Sequence, residues 1–315
     1  MVDKMYMLSY SKGLRSVKAI KEKCEIRKLL ICLTDTSPAY TKFSRAGTSS
    51  SKKVVFNWGN VYVPTPHTLG TYVYNNINKS IYINKRKFFE TYFNNREVSA
   101  WLPRHFTNEI DAVNFIEDRN DNTGIPVLVE RTVLTGHSGE GIRLIRGRED
   151  MIRSSLLWVE YKKKSEEYRV HFFKKPNGVV ELFIQKKLLK RGVNRPQGQP
   201  ESVFKVRNLD NGWVYSHNHV APSSVHHAAE ALLFESALDY GAIDIIYSRR
   251  NDCAWILEVN TAPGAVESTA QWYADMFTFC YNYVISGNII VPVTRSSQIV
   301  VYPIIQQSVP LEGGF

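Results

Sequence analysis

One stretch of the sequence, GAIDIIYSRRNDCAWILEVNTAPG at Gly241–Gly264, constrains the fold of this chain more than any other. Two apolar runs rich in β-forming residues, Ala242–Tyr247 and Ala254–Val259, lie on either side of the polar segment Ser248–Cys253. Apolar runs of this length separated by a short polar segment predict a β-hairpin or a slightly longer turn. We therefore expect an antiparallel pair of strands here, named below the 241–264 hairpin.

The register of this hairpin decides which side chains face one another. If Asn251 is the centre of the turn, Asp244 lies directly opposite Glu258. The same register pairs Tyr247 with Trp255. Directly opposed side chains have Cβ atoms about 5 Å apart, and like charges at that distance destabilise the pair. The two carboxylates therefore need a positive partner between them.

Asn260 adds an amide to this pair of acids. It lies two residues after Glu258, so the period of two along a strand puts both on the same face. Two carboxylates and an amide on an otherwise apolar hairpin suggest a hard-cation site, in which Mg²⁺ removes the repulsion. A hairpin with two solvent-facing acids is the alternative interpretation.

Length and composition indicate an ordinary globular protein. A chain of 315 residues is long enough for two or three packed units, and 43% hydrophobic with 12% aromatic residues does not favour disorder. The net charge of +10 favours a polyanionic partner, with nucleotide phosphates, nucleic acid or an acidic peptide as the candidates. A basic surface that merely aids solubility is the alternative.

The cysteine content and the length of the apolar runs indicate the cellular compartment of the protein. The chain has 4 cysteines and no CxxC spacing, which fits a reducing cytosol better than a disulfide framework. No apolar run approaches the ~18 residues of a membrane span, and the start MVDKMYMLSYSKG lacks the long apolar region of a signal peptide. We therefore expect a cytoplasmic protein with no membrane partner.

The first 75 residues predict a small α/β unit, followed by a connection. Strands are expected at Met5–Tyr10, Ile26–Leu33 and Val54–Asn57, with a helix in SKGLRSVKAIKEK after the first. The Pro- and Asn-rich stretch Pro64–Asn78 is interpreted as the link to the next domain.

A glycine-rich segment, TGHSGEG at Thr135–Gly141, joins two predicted strands, Ile125–Val133 and Ile142–Ile145. A Walker loop and a dinucleotide fingerprint both open a helix, so neither pattern is present. Two interpretations stay open: a mobile hairpin whose backbone N–H groups close over phosphates, and a plain hairpin turn. Helices are predicted before it at Asn84–Asn94 and at Glu109–Asp118, with Asn108 as N-cap.

The central part of the chain is β-rich. Strands are predicted at Leu156–Tyr161, Tyr168–Lys174 and Val179–Leu188. In the second of these, Glu167, Arg169 and His171 alternate with apolar residues, so they share either an exposed face or the wall of a cleft.

The last part of the chain predicts two helices and a cluster of histidines. The helices span Val225–Tyr240, with Gly241 as terminator, and Ala265–Ile285. The histidines are His217, His219, His226 and His227. Their spacing matches no recognised zinc ligand pattern, so we favour surface or cleft-edge histidines, with metal binding as the alternative.

Four segments, in this order along the chain, resemble the ATP-grasp carboxylate–amine ligases. They are NKRKFFETYF, TGHSGEGI, EYKKKSEEYRV and the pair AIDII and LEVNTAPG. They resemble that family's lysine-bearing helix, its phosphate-covering loop, its hinge and its metal-binding hairpin, respectively. The resemblance covers about 80–290 and carries an expected fold and an expected activity.

The resemblance implies an α+β ATP-grasp fold, in which two α+β subdomains clasp ATP, preceded by a small α/β domain. The expected divisions are a pre-ATP-grasp domain at 1–78, an N-terminal subdomain with the glycine loop at 79–157, a C-terminal subdomain with the metal site at 158–290, and an extension at 291–315.

Site residues follow from the matched positions. In such a protein Asp244, Glu258 and Asn260 would bind one or two Mg²⁺ ions that bridge the triphosphate. Backbone groups of the hinge from Glu160 onward would contact adenine, and Glu167 would contact the ribose. The residues that the resemblance assigns to ATP are Lys85, Arg131, His137, Ser138, Gly139, Gly141, Glu160, Tyr161, Lys162 and Glu167.

The chain departs from the family pattern on the side of the transferred phosphate. Arg131 stands where a second lysine is usual, and the two groups are not equivalent. Ala242 stands where many members have an arginine, so Arg169 and Arg207 are the candidates for that charge. For the basic residue that usually contacts the γ-phosphate, Lys186 and Lys187 both qualify, and we prefer Lys186.

The implied activity is ATP- and Mg²⁺-dependent formation of an amide from a carboxylate and an amine, through an acyl phosphate. An amino acid or peptide substrate is expected. Two alternatives remain: the same fold acting as a phosphotransferase, and a nucleotide-binding regulatory module without turnover. A further possibility is that the basic charge recruits nucleic acid, in which case binding should depend steeply on salt.

Overall fold

A computed structural model of the protein describes residues 4–9, 15–24, 30–33, 53–60, 71–76, 80–119, 125–135, 140–152, 155–190, 207, 212–217 and 219–302. These residues form three β-sheets, with strand orders β2-β1-β3-β4, β5-β8-β6-β7 and β11-β10-β9-β12-β13. Strand β14 joins the third sheet by pairing with β10. Every helix within the described ranges is too short or too polar to cross a lipid bilayer.

The first sheet is parallel throughout and confirms the predicted α/β unit, with one strand more than expected. Its elements are β1 (Lys4–Ser9), α1 (Arg15–Lys23), β2 (Leu30–Leu33), β3 (Lys53–Trp58) and β4 (Thr71–Tyr74). Strand β4 lies inside Pro64–Asn78, so the interpretation of that whole stretch as a linker is wrong. The run TYVY is rich in β-formers, and it pairs with β3 despite the polar residues around it.

The next part of the chain holds the lysine-bearing helix and the second sheet. In order its elements are α2 (Ser80–Ile83), α3 (Lys85–Phe93), α4 (Arg96–Ser99), β5 (His105–Phe106), α5 (Glu109–Asp118), β6 (Leu128–Arg131), β7 (Ile142–Ile145) and β8 (Leu157–Glu160), of which the four strands form the sheet. Asn84 caps α3 by accepting a hydrogen bond from the Lys87 N–H, and Asn108 caps α5 by accepting one from Asp111. Both predicted helices are confirmed. In each, the N-cap and the apolar periodicity indicate the same helix.

The third sheet holds the 241–264 hairpin beside two long strands. Its elements are β9 (Glu166–Lys174), β10 (Val180–Leu189), β11 (Trp213–Ser216), β12 (Tyr240–Ser248), β13 (Cys253–Asn260) and β14 (Ile299–Val301). Helices α6 (Ser223–Glu235) and α7 (Glu267–Ile285) accompany it. The domain boundaries stay predictions. Strand β8 of the second sheet crosses the expected division at 157/158, and β14, in the expected extension 291–315, pairs within the third sheet.

Helix α6 ends earlier than the sequence predicts. It stops at Glu235, five residues short of the expected end at Tyr240. Tyr240 and Gly241 begin β12, so Gly241 is not a helix terminator. A Cβ at Gly241 would lie 3.0 Å from the Asn260 carbonyl oxygen, which explains the glycine by close packing of two strands.

The hairpin confirms the pairing of the two acids but not the register at its turn. Asp244 is opposite Glu258 as predicted, whereas Tyr247 pairs with Ala254 and not with Trp255. A register shift between Asp244 and Ile245 accounts for the difference. The bulge adds one residue to one strand and lets the acids face each other while the turn is one residue tighter.

An aromatic core joins the first sheet to the third. Phe56 stacks on Phe277 of α7 with ring centroids 3.9 Å apart, and Trp58 meets Tyr273 edge-on at 4.8 Å. Residues of β1, β3, β9, β12 and α7 belong to the same buried cluster. The N-terminal unit is therefore packed on the sheet that carries the hairpin.

Candidate active site

The predicted metal ligands meet on one face of the third sheet. Asp244 is 7% exposed and lies opposite Glu258 across the β12–β13 pair. The Asn260 side chain donates from Nδ2 to Asp244 Oδ2 at 3.2 Å and to Glu258 Oε1 at 3.3 Å. The three side chains therefore form one contiguous set, as the period of two predicted.

Cations from neighbouring elements neutralise both acids. Lys85 Nζ, at the start of α3, lies 2.5 Å from Glu258 Oε2. Arg169 on β9 donates from Nε and Nη2 to the two oxygens of Asp244, at 2.6 and 2.7 Å. Such a two-point contact fixes the guanidinium plane as well as its charge.

Arg131 adds a third positive charge near Glu258. Burial raises the pKa of the Glu258 carboxyl, but the charges of Lys85, Arg131 and Arg169 outweigh burial and hold that pKa well below its usual range. Burial lowers the pKa of the Arg131 guanidinium, and Glu258 opposes that shift. Lys85 lies at the start of α3 and Arg131 on β6 of the second sheet, so both cations reach the acids from outside the third sheet.

A second charged cluster surrounds Glu167. Lys164 Nζ and Lys187 Nζ lie 2.6 and 2.5 Å from its two carboxylate oxygens. Burial raises the pKa of Glu167, and the two lysines more than offset this, so the net direction is down. Glu167 thus stays ionised between two ammonium groups, on the face that Arg169 shares.

The two candidate lysines on β10 point to opposite faces of the sheet. Lys187 lies on the face of Glu167, whereas Lys186 is paired with Tyr168 in the ladder and contacts Glu166 at 2.8 Å. The preference for Lys186 is therefore not supported by its placement, because a strand alternates its side chains. Lys187 has the geometry to reach into the site.

Glu166 belongs to that opposite face. Burial raises the pKa of its carboxyl, but hydrogen bonds from Lys186, Tyr168 and Arg249 lower it to about 2. Glu166 is saturated by these partners.

The hinge borders a cleft of about 590 Å³. Glu160 contacts Arg119 at 3.1 Å and Lys162 at 2.7 Å, and the Lys162 ammonium lies 5.2 Å from the centre of the Trp255 ring. The Tyr161 N–H donates to a backbone carbonyl of the second sheet. Glu160, Tyr161 and Lys162 line this cleft, and their contact with adenine stays a prediction. Trp255 and Arg119 also line it, and the sequence did not indicate them because neither belongs to a motif.

The remaining predicted residues are placed as follows. Gly141 has φ +68°, and a Cβ there would lie 2.7 Å from the Val133 nitrogen. Three members of the glycine loop, His137, Ser138 and Gly139, lie outside the described residues. Arg207 stacks on the Trp213 ring at 4.5 Å and donates to the Ser165 carbonyl at 3.0 Å. Arg207 is therefore beside the hinge and away from the Ala242 end of the site.

Arg169 lies on β9, the strand that pairs with the strand of Ala242. In the ladder Ala242 faces His171, two residues further along β9 from Arg169. The Arg169 guanidinium also lies 4.6 Å from the centre of the Tyr215 ring. Burial lowers the pKa of Arg169, but Asp244 outweighs burial and raises it. Tyr215 was missed because the sequence does not show that β11 pairs with β10.

The donor set fits a hard cation and not zinc. Two carboxylates and an amide oxygen are the ligand types of Mg²⁺. Among the residues that the structure describes, no three histidine, cysteine, aspartate or glutamate side chains form a metal-binding group. The zinc alternative for the histidine cluster is therefore not supported by the described side chains.

Comparisons with known proteins support the fold. No protein-family profile matches the chain, and no curated protein matches it. D-alanine–D-alanine ligase from Bacillus anthracis is similar in structure, with a TM-score of 0.58, 14% identity and coverage of 90% of this chain and 97% of that chain. D-alanyl-alanine synthetase A from Vibrio cholerae is also similar in structure, with a TM-score of 0.59, 12% identity and coverage of 91% of this chain and 99% of that chain.

A third similar structure is the ATP-grasp ligase PsnB complexed with a minimal precursor, with a TM-score of 0.56, 13% identity and coverage of 88% of this chain and 99% of that chain. At such identities the likeness establishes the fold and leaves the reaction open. The protein has the ATP-grasp fold, α+β in class, as the four sequence segments predicted.

Proposed function

We propose that this protein is an ATP- and Mg²⁺-dependent ligase that joins a carboxylate to an amine. The observation that carries the proposal is the set of Asp244, Glu258 and Asn260, with the cations of Lys85 and Arg131 beside Glu258. A triphosphate with its cation matches this arrangement, because lysine and arginine bind phosphate oxygens while the acids bind the metal.

The hinge cleft is the proposed adenine site. Its volume of about 590 Å³ is in the range of small-molecule sites, and Trp255 offers an aromatic face beside Lys162. Glu167, which lies on β9 just after the hinge, is the proposed partner of the ribose hydroxyls. Lys187 and Lys164 would then be free to turn from Glu167 toward phosphate oxygens.

Asp244, Glu258 and Asn260 would hold the Mg²⁺. The bound cation would neutralise phosphate charge while the γ-phosphate is transferred. Lys85, which contacts Glu258 at 2.5 Å, would then be available to bind a phosphate oxygen, because the cation would neutralise Glu258 in its place.

The chemistry needs positioning and charge from the protein and no covalent participation. A substrate carboxylate oxygen attacks the γ-phosphorus and ADP leaves. The amine nitrogen then attacks the carbonyl carbon of the acyl phosphate, inorganic phosphate leaves, and the nitrogen gives up a proton. Arg169, held by Asp244 and Tyr215, is the proposed electrostatic support on the acceptor side.

The substrate class is proposed from the structural relatives. PsnB is complexed with a minimal precursor, and the macrocyclase MdnC from Microcystis aeruginosa is bound to a precursor peptide. The D-alanine ligases have an amino acid in their name. An amino acid or a peptide is therefore the substrate class to test first.

The test replaces the acids without changing their size. We expect Asp244→Asn and Glu258→Gln to lower Mg²⁺-dependent ADP release by at least ~10²-fold, since loss of one such electrostatic group costs about 10²–10³ in rate. ADP release is measured with a coupled assay, and the amide product by mass spectrometry. Glu90→Gln is the matched control, because Glu90 forms only an exposed pair with Arg86.

Unchanged turnover in both variants, with the fold intact by circular dichroism, would contradict the proposed site. ADP with a phosphorylated acceptor and no amide would identify a phosphotransferase. ATP binding without ADP would identify a regulatory module.

A further inference from the structure

A second cavity, of about 350 Å³, lies at the far edge of the third sheet. Its apolar walls include Phe183, Ile184 and Tyr302, and its polar groups include His217, His226 and Ser268. We name it the histidine pocket. None of the aspartates, glutamates, lysines or arginines in the described part of the chain lines it.

The pocket occupies a gap in the pairing of β10. Strand β11 pairs with β10 only from Lys186 onward, and β14 pairs with it only up to Leu182. The outer edge of β10 at 183–185 therefore lies between two partner strands and is paired with neither. The walls of this gap include His217, Val220 and Ala221 after β11, and Val301 and Tyr302 at and after β14.

The strand register places the pocket beyond the metal ligands as seen from the hinge. Along β9 the order is the hinge, Glu167, Arg169 opposite Asp244, and then His171 opposite Phe183. Glu167 and His171 are four residues apart, or about 13 Å along a strand. ATP bound with adenine at the hinge and phosphates at Asp244 would end short of the pocket.

Side chains connect the pocket to the acceptor side of the site. The Arg169 guanidinium lies on the Tyr215 ring, and His217 follows Tyr215 by two residues. His217 Nδ1 and the Ser268 hydroxyl are 3.4 Å apart, and the next residue, Thr269, accepts a hydrogen bond from Gln185 on β10. The pocket is thus connected through Tyr215 to Arg169, the side chain proposed to support the transferred phosphate.

The lining suits an uncharged, apolar group. An apolar cavity of about 150 Å³ accepts a benzene ring, so a cavity of about 350 Å³ has room for an aromatic side chain and part of a backbone. Burial lowers the pKa of His226 and of His219, which both line the pocket, and so favours their neutral forms. Lys186, Glu166 and Glu230 act on these histidines from outside the lining, so a charged side chain would find no charged partner in the lining itself, at a large desolvation cost.

We propose that the histidine pocket binds the apolar or aromatic side chain of the amino acid or peptide substrate, and so sets the specificity of the reaction. The inference rests on the proposed function, because the direction from hinge to pocket follows from the position of ATP. It adds the chemical class of the substrate side chain.

The test fills the mouth of the pocket from its exposed rim. Val220 lines the pocket and is 82% exposed, so Val220→Trp adds bulk there with little effect on folding. Ile289→Trp is the matched control, since Ile289 is 84% exposed and lies outside the pocket. Binding of glycine, glutamate, lysine, leucine and phenylalanine, free and as dipeptides, is measured by calorimetry with a non-hydrolysable ATP analogue present.

We expect a leucine or phenylalanine compound to bind at least ~10-fold more tightly than the glycine and charged compounds. Val220→Trp should weaken that binding by at least ~10-fold, while Ile289→Trp and the affinity for the ATP analogue stay as in the parent protein. Equal binding of charged compounds, no binding of the apolar ones, or an unchanged affinity in Val220→Trp would overturn the inference.

Turnover assays on the same compounds separate this inference from the proposed function. Binding as expected without ADP or amide would leave the pocket assigned and remove the ligase proposal. Amide formation with charged substrates only would keep the ligase proposal and remove the pocket assignment.

Discussion

At the residue scale, the main question is how the site manages without an arginine at position 242. Arg169 lies on the neighbouring strand, with both oxygens of Asp244 in its fork and the Tyr215 ring against its plane. A guanidinium held by a carboxylate and an aromatic ring loses little further freedom when it binds an oxyanion. That Arg169 supplies the charge missing at Ala242 stays a prediction, which the proposed function uses on the acceptor side.

His171 allows a residue-scale prediction about pH. It is fully buried between Gln185 and Tyr273, and burial, followed by the charge of Arg169, lowers its pKa to about 3. A histidine in the unfolded chain has a pKa of about 6.5, so below that pH the unfolded state takes up a proton that folded His171 does not. The free energy of unfolding therefore falls as the pH falls below about 6.5. Between pH 7 and pH 5 we expect a loss of about 2 kcal/mol in unfolding free energy from this group.

Urea unfolding at pH 7, 6 and 5 measures this loss, with His171→Asn as the comparison. The difference in stability between the two proteins should shrink by about 2 kcal/mol over that range. Half-buried histidines whose pKa is also lowered, such as His105 and His226, contribute equally to both proteins, and the acids with lowered pKa values matter only below about pH 4.3. Parallel pH curves would show that His171 is not the cause.

At the element scale, strand periodicity and one bulge decide which groups face the candidate site. Alternation along β10 sends Lys187 toward Glu167 and Lys186 toward Glu166. The bulge after Asp244 keeps the two acids opposed although the turn register differs by one residue. A slip of one residue would exchange the two faces of the strand, so the site depends on this register.

Gly141, at the end of the glycine-rich segment, allows a prediction at the element scale. Gly141 has φ +68° and accepts the Thr132 N–H at 3.0 Å, while a Cβ would collide with Val133. We expect Gly141→Ala to lower the free energy of unfolding by about 1–3 kcal/mol, because the left-handed backbone is strained for alanine. Thermal and urea unfolding measure the change.

Gly264→Ala is the matched control, since nothing lies within 4 Å of a Cβ at that position and its φ is not left-handed. Equal stability loss in both variants would show that the cost at Gly141 is not conformational.

At the scale of the whole molecule, the N-terminal sheet is part of the core that supports the site. Asn75, just after β4, is fully buried with φ +56°. Its side-chain oxygen accepts from the Asp239 and Tyr240 N–H groups at 2.7 and 3.2 Å, and its Nδ2 donates to the Tyr240 carbonyl at 3.0 Å. This side chain links the first sheet to the strand that carries Asp244.

We therefore expect Asn75→Ala to lower the free energy of unfolding by about 3 kcal/mol or more, because each buried group left without a partner costs about 1–3 kcal/mol. Urea unfolding followed by circular dichroism measures this. Asn288→Ala is the control, since Asn288 is exposed and makes one hydrogen bond, to the Tyr283 carbonyl. A loss below 1 kcal/mol would contradict the role of Asn75 as the link.

The predicted partners belong to this scale as well. The net charge of +10 predicted a polyanion, and ATP satisfies that prediction under the proposed function. Binding of nucleic acid stays a prediction, which the salt dependence of binding would test.

Local patterns in the sequence were sufficient for many elements. Helix α5 begins and ends where its cap and periodicity predicted, and β7 has its predicted bounds. Strand β4 and the early end of α6 were not predicted, because pairing with a distant strand decided them. The linker interpretation failed for the same reason, since composition reports flexibility and not pairing.

The sequence by itself indicated the ATP-grasp fold, through its resemblance to that family in four segments. It also predicted the grouping of Asp244, Glu258 and Asn260 through a period of two, which needs contacts across one hairpin only. The tertiary structure alone decided that Lys187 and not Lys186 faces Glu167, that Arg169 pairs with Asp244, and that His217, His219 and His226 line a pocket. Each depends on strands brought together from distant parts of the chain, and no local pattern records that pairing.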